Sequence, residues 1–161
     1  MSVGIAGATG RLECRPALAG DEKFLRALFM ESRPELHALP APLVDLQMRA
    51  QRRQYSADAP DSVERVVELD QVPVGRCWVA RSAPAHRVLD LSIAGTYRNR
   101  GLGTRLLRGF QAEAAGDGVP LHLAVWGGNT GARRLYARLG FTQIAATAGY
   151  LELQWTPEGR R

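Results

Sequence analysis

The sequence predicts an α/β (α+β) domain in which a mostly antiparallel sheet of six or seven strands is flanked by about four helices, with two parallel strands at its centre. Three observations carry this expectation. Alternating apolar runs and runs with helical apolar spacing succeed one another in the order β, α, α, β, β, β, α, β, α, β, β. The strands at 88–94 and 121–125 are joined through a helix, and a right-handed crossover of that kind makes them parallel. At 161 residues, 45% hydrophobic and 23% charged, the chain is one domain long and large enough to bury a core.

Residues 1–11 are small and rich in Gly and Ala, so a flexible leader is expected, with a single domain over 12–156 and a tail over 157–161. Residues 12–16 read as the first strand. Asp21 is placed to cap a helix whose stripe is Phe24, Leu25, Leu28 and Phe29. Pro34, Pro40 and Pro42 break the chain into a connector, and helical spacing resumes from Leu43 to about Tyr55. Residues 63–69 alternate, Asp70 and Gln71 form a turn, and 72–81 return as the other arm of a hairpin. After a turn at 83–85 comes the strand at 88–94. Leu102, Leu106, Leu107, Phe110 and Ala114 then mark a helix ended by Gly116, Asp117 and Gly118. The strand at 121–125, a helix in the segment that begins at Asn129, and strands from 140 and 150 complete the order.

The stretch Tyr97-Arg98-Asn99-Arg100-Gly101-Leu102-Gly103-Thr104 lies between a strand and a helix. The first N–H groups of a helix lack intrahelical partners, and its dipole favours negative charge there, so this junction suits an anion. Gly101 and Gly103 let the backbone approach a ligand. The turn lacks the Gly-Lys-Ser/Thr ending of a nucleotide-hydrolysing phosphate loop. Leu106 also stands where a dinucleotide fingerprint has its third glycine.

Two motifs carry a family resemblance. Arg98-x-x-Gly101-x-Gly103 resembles the pyrophosphate-binding signature of the GNAT N-acetyltransferase superfamily. Downstream, Asn129-x-x-Ala132-x-x-Leu135-Tyr136-x-x-Leu139-Gly140-Phe141 fills each fixed position of that superfamily's second pattern. Asp70-Gln71-Val72-Pro73-Val74-Gly75 is similar to the family's hairpin link, with Gln71 at a common glycine position. The resemblance implies the GNAT fold, with the two central parallel strands splayed at their C-terminal ends, and acetyl-CoA as donor. It implies that Ile93 and Ala94 bond the pantetheine arm and acetyl carbonyl through their backbone. Arg98, Asn99, Arg100, Gly101, Leu102, Gly103 and Thr104 would hold the pyrophosphate. Asn129 would meet the arm or cap its helix, and Tyr136 would reach the sulfur as general acid. The acceptor would be a primary amine of a small molecule or peptide. Its wall would come from the first two helices and their connector, with Arg33, Glu35, His37, Gln51 and Tyr55 as candidates.

An alkyl amine has a reference pKa of ~10.4 and must lose a proton before it attacks. Asp90, the lone carboxylate in its strand, is the candidate base. Its face also carries Ser92, and an ion pair with an arginine of a neighbouring strand is the competing role. Glu68, His86 and His122 are rivals, as is a water chain with no dedicated base. Trp126 would line an acceptor pocket or simply pack.

Net charge is +5, and residues 98–138 carry seven Arg against Glu113 and Asp117, so the whole excess lies around the motifs. Aromatics are not interleaved with these charges, which argues against nucleic acid. No apolar run reaches the roughly 20 residues that cross a bilayer. With no signal-peptide pattern, a cytoplasmic enzyme is expected. Cys14 and Cys77 do not make a metal motif or a disulfide framework, and no metal is expected. A homodimer remains open, as does a non-catalytic acyl-CoA sensor or assembly module.

Overall fold

A computed structural model describes residues 10–159. Seven strands form one mixed sheet in the order β1-β2-β3-β4-β5-β7-β6, where β1 is Leu12–Pro16, β2 Glu64–Leu69, β3 Val72–Ser82, β4 Ala85–Ile93, β5 Leu121–Trp126, β6 Thr142–Thr147 and β7 Tyr150–Trp155. Four α-helices accompany them: α1 Glu22–Glu31, α2 Ala41–Asp58, α3 Leu102–Asp117 and α4 Thr130–Arg138. The expected leader lies mostly outside the described residues. Arg11 is within them and is held, its N–H donating to Asp70 Oδ1 and its carbonyl accepting from Asp70 N–H, each at 2.8 Å.

The chain divides into two compact units, Met1–Trp78 with Asp90–Leu102, and Val79–Leu89 with Gly103–Arg161. In the first, β1, β2 and β3 are antiparallel, and Leu25, Phe29, Leu36, Val44, Met48 and Val66 make the core beneath α1 and α2. Asp70 and Gln71 take the left-handed conformation (φ 49° and 68°) that a two-residue hairpin turn requires, so Gln71 does a glycine's work at some cost in strain. Gly75 is a close-approach position. A Cβ there would overlap the Ser92 carbonyl oxygen and come 2.9 Å from Ile93 Cδ1.

Asp21 stands at the N-cap position of α1, as expected, but its side chain makes no capping hydrogen bond there. It ends a short 3-10 turn, Ala19–Asp21, where its carboxylate accepts from Leu18 N–H and from both Arg15 terminal nitrogens at 2.7 and 2.8 Å. The Arg15 guanidinium is the main reason that carboxyl falls to about 2, helped by the Leu18 amide. A bidentate arginine satisfies a carboxylate better than a neutral amide does, so the side chain turns to β1.

In the second unit, β5 pairs with β7 over its whole length and β7 with β6. Pairing of β4 with β5 is parallel, as the crossover requires, and comprises three rungs: His86–Leu121, Arg87–His122 and Val88–Leu123. Leu106, Leu107, Phe110 and Ala114 bury the apolar stripe of α3, as their spacing predicts. Arg81 pairs with Glu113 of that helix, and buried His86 meets Asp117 at 3.0 Å. No helix among the described residues is long and apolar enough to cross a membrane.

Candidate active site

The turn before α3 is built by backbone conformation. Chain direction changes through a 3-10 turn, Gly95–Tyr97, then through left-handed Asn99 (φ 60°) and Gly101 (φ 77°), and the helix begins at Leu102. A left-handed asparagine is tolerated because its short amide can bond locally, whereas Gly101 has no Cβ to strain. Nothing lies within 4 Å of where a Cβ on Gly101 would stand, so the space over it is open. Leu102 is buried and anchors the first helical turn, while Asn99, Arg100 and Gly101 are exposed. A run of outward N–H groups at a helix start, with an exposed arginine beside it, is chemically an anion cradle.

Side chains brace this turn from within the first unit. Arg98 Nε donates to the Ile93 carbonyl at 2.9 Å, and Arg100 lies over the Tyr97 ring at 5.2 Å. Glu31, at the end of α1, accepts from Gly95 N–H at 2.6 Å and approaches Arg98 Nη2 at 3.6 Å. Its carboxylate fills the space a Cβ on residue 95 would need, so Gly95 is the residue that fits. Sequence reasoning missed Glu31, which stands 64 positions from its partner and has no motif around it.

Of the two residues expected to meet the pantetheine arm, Ala94 already has a partner for its amide: its N–H donates to the Val74 carbonyl at 2.8 Å.

Asp90 and Ser92 share a face, their side chains 3.3 Å apart, and Asp90 Oδ2 lies 3.1 Å from Arg76 Nη1 on β3. Burial is the main cause pushing the Asp90 carboxyl up, and Glu64 adds to it. Arg76, Ser92 and Arg33 pull the other way, and the balance stays above the ordinary carboxylate value. Of the rival bases, Glu68 is paired with Arg15 at 2.7 Å and His122 bonds Gln154 Oε1 at 2.8 Å.

In the second unit, Asn129 Oδ1 caps α4 by accepting from Ala132 N–H at 3.1 Å. The far end closes with left-handed Gly140 (φ 86°), Phe141 N–H on the Tyr136 carbonyl and Gly140 N–H on the Ala137 carbonyl. That is a Schellman closure, which brings together the residues at either end of the longer bond. Here the pair is Tyr136 and Phe141, edge-to-face at 5.8 Å, so the Leu-Gly-Phe sequence has a structural reason of its own. Gly103 needs no special conformation, and a Cβ there would sit 3.6 Å from Leu135. Trp126 is half exposed and meets Tyr150 edge-to-face at 5.5 Å.

A cavity of about 410 Å³ opens on the other side of α4, floored by Phe141, Leu151 and Leu153 and edged by Arg133 and Arg134. None of the sequence-predicted site residues lines it. The sulfurs of Cys14 and Cys77 lie 3.5 Å apart. Among the described residues no His, Cys, Asp and Glu cluster could hold a metal.

The sequence matches the acetyltransferase (GNAT) family over residues 23–141. Solved structures share the fold. An acetyltransferase from Thermus thermophilus is 24% identical with a TM-score of 0.70, covering 90% of this chain and 96% of that one. PaiA N-acetyltransferase from Thermoplasma acidophilum, solved in complex with coenzyme A, is 15% identical with a TM-score of 0.67 over 90% and 98%. Ribosomal-protein-alanine N-acetyltransferase from Brucella melitensis is 22% identical with a TM-score of 0.61 over 89% and 98%. No curated protein sequence matches the chain.

Proposed function

The chain belongs to the GNAT acetyltransferase family, and from that premise we propose that it transfers an acetyl group from acetyl-CoA to a primary amine of a small molecule or peptide, by direct attack in a ternary complex. The observation that carries this reading is the turn itself: left-handed Asn99 and Gly101, both exposed, lead the backbone into the start of α3, with open space above Gly101. These residues fit a diphosphate. When bound, acetyl-CoA supplies an acetyl group already activated as a thioester.

Residues of the chain do the rest. Asn99, Arg100, Gly101, Leu102, Gly103 and Thr104 hold the pyrophosphate, chiefly by backbone N–H, and Arg98 holds the turn in shape through Ile93. The amide of Ile93 donates to the acetyl carbonyl, a contact of a kind often worth ~2.7–4 kcal/mol where charge develops on oxygen. Ala94, whose amide belongs to the β3 pairing, supports that geometry. Asp90 takes the proton from the acceptor amine, and burial makes it a stronger base than an ordinary carboxylate. Asn129 holds the start of α4 and bonds the pantetheine arm. Tyr136 Oη holds the proton destined for the leaving sulfur.

Calorimetric titration with acetyl-CoA tests the reading. Wild type is expected to bind at submillimolar cofactor and Gly103→Trp to lose binding, since a bulky side chain at the first turn of α3 fills the cradle. Absence of heat in both proteins defeats the proposal. In the same preparations Tyr136→Phe is expected to lower turnover on a panel of amines while keeping affinity near wild type. If no amine in the panel is consumed by wild type, a non-catalytic acyl-CoA module replaces the enzyme.

A further inference from the structure

Asp90 is the last member of a buried chain of charges that no motif announces. Glu22 on α1 accepts two bonds from Arg52 of α2, at 2.8 and 3.0 Å. Arg52 Nε lies 3.0 Å from Glu64 Oε2 on β2. Glu64 Oε1 lies 2.8 Å from Arg76 Nε on β3, close enough to pair but without the alignment of a hydrogen bond. Arg76 Nη1 then reaches Gln51 Oε1 on α2 at 2.7 Å and Asp90 Oδ2 at 3.1 Å.

Two guanidinium groups thus serve three carboxyls, and the set carries one negative charge when all are ionised. Glu22 is exposed and solvated, and Glu64 has an arginine on each side. Asp90 pairs with Arg76, which it shares with Glu64 and Gln51, while Arg33 acts on it without a direct ion pair, so Asp90 is where a proton relieves the excess. The remaining groups facing it are Ser92 on its own strand and Arg33 after α1. Arg76 itself is 3% exposed and lies 5.4 Å beneath the Trp78 ring, so it cannot swing away into water.

We propose that Arg76, held in place by Gln51 and Glu64, is the positioning residue that aims the Asp90 carboxylate and sets the pH at which it becomes competent to take a proton. The proposal rests on the reading of Asp90 as the base. Glu64 acts through Arg76 in the opposite sense, since it competes for the same guanidinium and repels Asp90.

Two substitutions with opposite signs test this. The Asp90 side-chain carboxyl is titrated by carbon NMR in wild type, Glu64→Gln and Arg76→Gln, and kcat/KM is measured against pH in each. A base must be deprotonated, so its pKa sets the acid limb of the profile. Glu64→Gln removes the competing charge, and both the NMR midpoint and the acid limb are expected to move to lower pH. Arg76→Gln removes the cation, and both are expected to move to higher pH. A merely structural role would not produce opposite shifts. Should Arg76→Gln fail to fold, Glu64→Gln decides alone. An Asp90 midpoint unmoved by Glu64→Gln overturns the proposal. A midpoint that moves while the acid limb stays defeats the base reading of Asp90 and leaves the control by Arg76 standing.

Discussion

The unit Met1–Trp78 with Asp90–Leu102 contains twelve basic and twelve acidic residues, whereas Val79–Leu89 with Gly103–Arg161 contains nine basic and four acidic. Among the described residues, nine ion pairs lie within the first and two within the second. The first unit uses its charges on itself, tying helix to strand and strand to strand. The second holds the whole net charge of the protein, and a surplus of arginine with few acids near it produces a positive potential that attracts a polyanion. Charge therefore has two roles in one chain, and each can be attacked separately.

The largest effect is expected from Gly75→Ala. A methyl group there collides with the Ser92 carbonyl and with Ile93, so β3 must move off β4 and Arg76 with it. Overpacking of this kind costs about 3 kcal/mol, which urea unfolding would register. A loss below about 1 kcal/mol would mean that the close approach is not what joins Arg76 to Asp90.

Next comes the second unit's surplus. Raising salt from 50 to 500 mM shortens the screening length several-fold, and acetyl-CoA affinity is expected to fall about tenfold if the arginines act as a field. Titration at the two salt concentrations checks this, and an affinity indifferent to salt would remove the distinction between the units.

The smallest effect is in acid. Asp21, lowered from 3.8 to about 2 mainly by Arg15, has a folded pKa below its unfolded value. Its contribution is complete above the unfolded value and disappears as pH falls toward about 2. Asp21→Asn is expected to melt lower than wild type at pH 6, with the gap closing between pH 4 and 2 as the Arg15–Asp21 pair is lost. A gap that stays constant across that range would show that the pair does not stabilise the first unit.

Much of the architecture was legible because its signals are short-ranged. Asn129 and Ala132, three residues apart, cap α4, and Gly140 supplies the left-handed position that ends it. Left-handed Gly118 (φ 66°) follows the last residue of α3, Asp117. Short-range reading placed Asp21 at the N-cap of α1 correctly but not its side chain, which bonds Arg15 instead of the helix. Alternation through 63–69 likewise suggested one buried face, yet Val66 and Val67 are both fully buried, next to the register shift between Val67 and Glu68. The one clue to the charged cluster was Arg76 in the apolar middle of β3, which a reading for periodicity passes over.

Local sequence was enough for the order of strands and helices, the glycine-bearing turn before α3 and the family, since each depends on residues within a few positions of one another. Which carboxylate Arg76 would serve, and that Gln51 and Glu64 would share it, was decided only when strand register and the packing of α2 brought distant positions, Gln51 and Arg76 among them, to hydrogen-bonding distance. Spacing along a chain cannot encode such a contact, because an ion pair needs a particular separation in space, and only the folded sheet supplies it.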